Sequence, residues 1–159
     1  MPHHYRLRRA VPDDLERLVA YTVAEAREAE GVEKDPAAVR RGVLAGLEDP
    51  SVATYWLAES GDGEAAASTS VVREWSDWHG GYYWWIQSLY IAPGHRGRGL
   101  VEQILDELSR AARDAGAVDL RLYAHNSNRR ALHVYSRCGF QTAPYTIMTR
   151  SLRDPDGEE

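Results

Sequence analysis

A strand, a glycine-rich turn and a helix start follow one another without a break over residues 84–101. The stretch opens as an aromatic and β-branched run, Trp84-Trp85-Ile86-Gln87-Ser88-Leu89-Tyr90-Ile91, and breaks at Pro93-Gly94. Arg96-Gly97-Arg98-Gly99 then leads directly into Leu100-Val101. Glycines let the backbone approach a ligand, and the first amides of a helix lack carbonyl partners. The order strand, glycine turn, helix is therefore an anion cradle. Whatever fold this chain takes must place a sheet behind that turn and a helix in front of it.

The remaining elements can be read outward from there. Tyr5–Arg9 alternates as a first strand, and Pro12-Asp13-Asp14 opens a helix with Leu15, Leu18, Val19, Thr22, Val23 and Ala26 on one stripe. Glu25, Glu28 and Glu30 crowd its end, where the helix dipole disfavours negative charge. This acidic end is either a solvated face or a lip for a cationic substrate. Asp35-Pro36 starts a second helix, ended by Asp49-Pro50. Val52–Glu59, Ala65–Trp75 and Tyr83–Ile91 read as a three-stranded meander, with a turn at Gly61-Asp62-Gly63. Beyond the cradle come a helix ending at Gly116, a strand over Val118–Ala124 and a last helix capped by Asn126 or Ser127. A closing strand follows over Tyr145–Leu152. The order β-α-α-β-β-β-α-β-α-β gives an α/β sheet covered by helices on both faces, with a right-handed crossover after the cradle.

Bulk properties narrow the classes. The 159 residues suit one domain, over residues 1–153, with residues 154–159 as a flexible acidic tail. A net charge of -5 with signs well mixed argues against nucleic acid as a partner. The single Cys138 excludes an intrachain disulfide, and the histidines lack ligand spacing, so no metal is expected. His95 and His133 read as surface residues. No apolar run reaches the length of a membrane span and no secretory leader is visible, so a cytoplasmic protein is expected.

Two motifs then identify the ligand class. A Walker loop fails because Gly99 is followed by Leu100-Val101 rather than lysine and serine or threonine. A dinucleotide fingerprint fails because Asp119 begins the next strand instead of ending it and the preceding strands form a meander. By contrast, Leu89-Tyr90-Ile91-Ala92-Pro93-Gly94-His95-Arg96-Gly97-Arg98-Gly99-Leu100-Val101 resembles the acetyl-CoA signature of the GCN5-related N-acetyltransferase (GNAT) superfamily. Asn128-Arg129-Arg130-Ala131-Leu132-His133-Val134-Tyr135-Ser136-Arg137-Cys138-Gly139-Phe140 resembles a second segment of the same superfamily. The Trp84–Ser88 run is similar to a bacterial, small-molecule-type subgroup.

The resemblance implies a mixed, mostly antiparallel α/β (α+β) sheet of six to seven strands, with a β-bulge and a V-shaped splay after the central strand, flanked by about four helices. It implies transfer of acetyl from acetyl-CoA, as co-substrate, to a small primary amine by direct attack. A protein or peptide N-acetyltransferase and a non-catalytic acyl-CoA sensor are the alternatives. A homodimer is a further expectation, because members often pair through strands late in the chain. The coenzyme residues so implied are Arg96, Gly97, Arg98, Gly99, Leu100 and Val101 at the turn, and Leu89, Tyr90 and Ile91 on the strand. On the last helix they are Asn128, Ala131 and Tyr135. Tyr135 is also the expected general acid, since a phenol suits protonation of a leaving thiolate.

Two positions depart from the family pattern. Val101 stands where glycine or alanine is usual, with its side chain expected in the core. Gln87 stands where many members carry a glutamate base, and an amide cannot take the proton. A water chain held by Gln87 and Ser88 is the first substitute, followed by Glu74 and His125, then Glu28 or Glu30. The acceptor side is expected from Glu28, Glu30, Trp75, Tyr83, Trp85 and Gln87, because aromatics with carboxylates suit a cationic amine.

Overall fold

Hairpin turns and alternating strands build the sheet in chain order. The computed structural model describes residues 4–153, so the expected acidic tail lies outside the described residues. β1 (Tyr5–Arg9), β2 (Thr54–Ser60), β3 (Ala65–Ser76), β4 (Gly81–Ile91) and β5 (Asp119–Leu122) form one five-stranded sheet in that spatial order. β1 to β4 run antiparallel and β5 lies parallel to β4. The four helices are α1 (Leu15–Glu30), α2 (Pro36–Glu48), α3 (Leu100–Asp114) and α4 (Arg129–Arg137).

Local chemistry accounts for the helix ends. α1 stops at Gly31, which takes a left-handed φ of 66°. α2 starts where the Asp35 carboxylate accepts the Ala37 amide at 3.0 Å, with Pro36 in the first turn. At α4 the cap is Asn128, not Asn126 or Ser127: its Oδ1 accepts the Ala131 amide at 3.2 Å. None of the helices is long and apolar enough to cross a membrane among the described residues.

Both faces of the sheet are covered. On one, Ile104, Leu105 and Leu108 of α3 pack on Trp56, Ala67, Trp84 and Ile86. On the other, Leu18 and Val19 of α1 and Val43 of α2 pack with Leu57 and Tyr90. Each large apolar side chain buried this fully contributes about 1.5–3 kcal/mol.

The strand count is five rather than six to seven among the described residues. Residues 145–152 take no strand, and Tyr145, Ile147 and Met148 are exposed. The alternation of Tyr145-Thr146-Ile147 favours an extended chain, but a strand needs an edge to pair with and a covered face. Tyr145, Ile147 and Met148 have no covered face here.

The bulge lies in β4. Ser70 of β3 faces Ser88 and Val71 faces Ile86, so Gln87 is the extra residue. Thr69 Oγ1 donates to the Ser88 carbonyl at 2.8 Å and the Ser70 and Ser88 hydroxyls meet at 2.6 Å, which pins the register there. β5 pairs with β4 only over Tyr83–Ile86. Past Gln87 the β5 side of β4 has no strand beside it, and a gap opens.

Candidate functional site

That gap becomes a cavity of about 570 Å³. Leu89, Tyr90 and Ile91 of β4 form one wall, and the glycine turn with the start of α3 forms the next. Asn128, Ala131 and Tyr135 of α4 face them, and Glu25 and Glu28 of α1 close the remaining side. A cleft of about 560 Å³ over Arg8 is similar in size, but there Arg8 is already paired with Asp14 (2.8 Å) and Glu59 (2.6 Å).

The glycine turn is built for close approach. Gly97 and Gly99 both have φ of 73°, a left-handed conformation that side chains disfavour. The first helical bond of α3 runs from the Gln103 amide to the Gly99 carbonyl at 3.1 Å. The amides of Leu100, Val101 and Glu102 therefore lack helical partners, at the positive end of a long helix. These three residues line the cavity. Val101 packs its side chain against the α3 core cluster.

The two arginines of the turn part company. Arg96 Nε donates to the Ile91 carbonyl at 3.0 Å, and its Nη2 donates to both oxygens of Glu28, at 3.0 and 3.1 Å. It thereby links the turn to α1. Arg98 instead donates to the Tyr5 hydroxyl at 3.2 Å and is the one expected coenzyme residue that does not line the cavity. His95 is not a surface residue: it is buried, with Nδ1 3.1 Å from the Tyr5 hydroxyl.

On α4, Tyr135 packs edge-on to Phe140 and leans on the α3 core. Its phenol is pushed above the ordinary range, first by burial and then by the nearby charges of Glu25 and Cys138. It thus stays protonated through neutral pH. Asn128 uses only its carbonyl oxygen in the cap, which leaves the amide hydrogens to donate into the cavity it lines.

Glu25 also lines the cavity and was not among the expected site residues. It lies one turn beyond Tyr21 and Thr22, on the continuation of the buried stripe of α1, and a carboxylate on an apolar stripe was the signal. Its Oε1 accepts the Leu89 amide at 3.3 Å, across the gap that β5 leaves open. Burial pushes its pKa up to about 7, with the charge of Glu30 adding and the Leu89 hydrogen bond opposing.

The other expected acceptor and proton-transfer residues lie elsewhere. Glu74 accepts the Trp85 indole N–H at 2.9 Å on the exposed end of the sheet. His125 Nδ1 is 2.6 Å from the Ser127 hydroxyl, in the exposed turn before α4. Gln87 is exposed at the bulge and Glu30 is exposed at the end of α1. Trp75 is exposed and meets Tyr82 edge-on at 5.0 Å. Trp85 stacks on Tyr123 at 4.4 Å, and the Arg121 guanidinium sits 3.5 Å over Tyr83. Of the six expected acceptor residues, only Glu28 lines the cavity. Among the described residues no three His, Cys, Asp or Glu side chains gather as a metal set.

Comparison with known proteins follows the same lines. Streptothricin acetyltransferase of Streptomyces lavendulae is 34% identical over 93 residues, 58% of this chain and 47% of that protein. Mycothiol acetyltransferase of Nocardia farcinica is 34% identical over 134 residues, 84% of this chain and 40% of that protein. The matches thus span less than half the length of either curated relative. The crystal structure of a possible acetyltransferase from Clostridium difficile 630 superposes with a TM-score of 0.88 at 26% identity, over 94% of this chain and 99% of that one. The acetyltransferase (GNAT) family model matches residues 16–140, which take in the bulged strand, the glycine turn and Tyr135, and the chain belongs to that family.

Proposed function

We propose that this protein is an N-acetyltransferase that moves the acetyl group of acetyl-CoA to a primary amine of a small molecule by direct attack. The observation that carries this reading is one cavity shared by the amides at the start of α3, the Leu89 amide at the bulge and Tyr135. The relatives named for streptothricin and mycothiol support a small-molecule acceptor.

Each group has a part in that chemistry. The amides from Gly97 to Val101 suit the pyrophosphate of the coenzyme, because unpaired N–H groups at a helix start favour anions. Arg96, held by Glu28 and the Ile91 carbonyl, fixes the turn that presents them. The Leu89 amide suits the thioester carbonyl, where a fixed donor stabilises the oxygen as charge develops on it. Asn128 Nδ2 suits the amide-bearing arm of the coenzyme. Among the described residues the Tyr135 hydroxyl donates to no protein acceptor, which leaves its proton for the departing thiolate.

The test is release of free thiol from acetyl-CoA, followed against a panel of amines. Turnover on small amines and not on peptides is the expected result. Binding of acetyl-CoA without turnover on any amine or peptide would favour a sensor domain. Failure to bind any acyl-CoA would overturn the assignment of the glycine turn.

A further inference from the structure

We infer that Glu25 is the proton acceptor for the incoming amine, the role that Gln87 cannot fill. The inference rests on the acetyltransferase reading of the same cavity and adds a catalytic residue to it.

Three placements carry it. First, Glu25 accepts a hydrogen bond from the Leu89 amide at 3.3 Å. That amide is the donor best placed for the thioester carbonyl, so the carboxylate stands beside the reacting carbon rather than at the cavity mouth. Second, Glu25 and Tyr135 line the same cavity, so base and acid border one space. Third, the rival carboxylate on α1 is engaged: both oxygens of Glu28 take the Arg96 guanidinium. The expected alternatives, Glu74 and His125, are hydrogen-bonded on exposed surface away from the cavity.

The charges around Glu25 leave it poised. On its own helix, Glu28 is neutralised by Arg96 at 3.0 Å, and Glu30 pushes the Glu25 pKa upward. From α3 and α4, Glu102 and Arg137 pair at 3.3 Å, while Arg130 lines the cavity wall. Tyr90 of β4 and Tyr135 both have raised pKa values and are neutral at pH 7, and His95 at the turn is held by Tyr5. With burial as the main cause, the Glu25 carboxyl titrates at about 7, where a base is most effective near neutral pH.

The step balances. An ammonium acceptor gives one proton to the Glu25 carboxylate, which passes it to water. The free amine then attacks the thioester: an N–C bond forms and the C–S bond breaks. The thiolate takes the Tyr135 proton, and the second nitrogen proton restores the phenol. Glu25 must release the Leu89 amide to the thioester carbonyl as the coenzyme enters, which frees both carboxylate oxygens for the amine.

The experiment compares wild type, Glu25→Gln and Glu25→Asp over pH 5.5–9.5 by thiol release, using whichever amine the wild type acetylates. Acetyl-CoA affinity is measured on each by calorimetry. The glutamine variant keeps an acceptor for the Leu89 amide, so binding of acetyl-CoA should stay within about threefold of wild type. Its kcat/KM should fall about 100-fold or more, and the limb with a midpoint near 7 should vanish. Glu25→Asp should recover part of the rate with the limb displaced. A glutamine variant with wild-type rate and an unchanged limb would overturn the role of Glu25 and leave the acetyltransferase reading standing. A wild type that turns over no amine would overturn both.

Discussion

The coenzyme half of this molecule and its aromatic half use their side chains in opposite ways. Around the glycine turn, groups are left open: helix amides without carbonyls, a tyrosine hydroxyl without an acceptor among the described residues, and beside them a buried carboxyl whose pKa is raised to about 7. On the exposed end of the sheet, the polar and aromatic groups satisfy one another. Arg121 lies over Tyr83, Trp85 stacks on Tyr123, and Glu74 holds the Trp85 indole. The sequence invited a cation onto those rings, and the protein's own arginine is already there. The contrast suggests a rule: reactive groups are those the fold buries without completing, whereas abundant aromatic and charged residues on an open face neutralise each other.

The sharpest way to break this contrast is Tyr135→Phe. It removes one oxygen and leaves the packing against Phe140. Turnover should drop about 100- to 1000-fold with acetyl-CoA affinity almost unchanged. A variant with normal turnover would show that the open hydroxyl is idle.

Glu25→Gln sharpens it through stability. The folded pKa of about 7 lies above the ordinary 4.5, so burial penalises the charged form. Relative to a neutral side chain, wild type loses nothing below about pH 4.5, loses progressively as pH rises to 7, and reaches a constant deficit above that. The variant should therefore match wild type in urea unfolding at pH 4 and exceed it by about 3 kcal/mol at pH 8. Equal stability at both pH values would mean that Glu25 is ordinarily solvated. A residue whose replacement stabilises the fold while abolishing turnover is retained for chemistry.

Gly99→Ala probes the turn. No atom crowds the site of the missing side chain, so only the left-handed backbone resists the change. The expected cost is about 1–2 kcal/mol, read as a lower Tm and a weaker grip on acetyl-CoA of roughly tenfold. An unaffected affinity would mean that the turn does not set the amides.

Trp85→Ala is the mildest. It removes the ring between Arg121 and Tyr123 on the satisfied face. Acceptor KM should rise by no more than about threefold, with kcat and acetyl-CoA binding unchanged. A larger rise in KM would place the acceptor on the aromatic face after all and erase the distinction between the halves.

Much of the fold was legible because it is local. The alternation of Tyr5–Arg9, the Gly61-Asp62-Gly63 turn and the Asp35-Pro36 cap each act within a few residues, and each formed. The cradle was legible for the same reason: glycines and a helix start are enough to make one. Three other features were not. Tyr145–Leu152 has strand propensity, yet pairing depends on an edge supplied from far along the chain. His95 is buried with its ring against Tyr5, ninety positions away. The cap of α4 fell to Asn128 because its own side chain reached the Ala131 amide.

The bulge of β4 was implied by the family resemblance, whereas the open amides beyond it followed from the glycine turn and helix start themselves. Gln87, being an amide, cannot take the proton, which left a water chain, Glu74, His125, Glu28 and Glu30 as substitutes. What the sequence by itself determined was the glycine cradle, whose parts are neighbours on one strand, one turn and one helix start. Which carboxylate of α1 meets the bulge was decided by tertiary structure. Along α1 Glu25 differs from Glu28 and Glu30 in continuing the apolar stripe, and packing the helix beside the gap gives the first to Leu89, the second to Arg96 and leaves the third in solvent. Desolvation and partner choice depend on what lies across the gap, sixty-four residues on for Glu25 and Leu89.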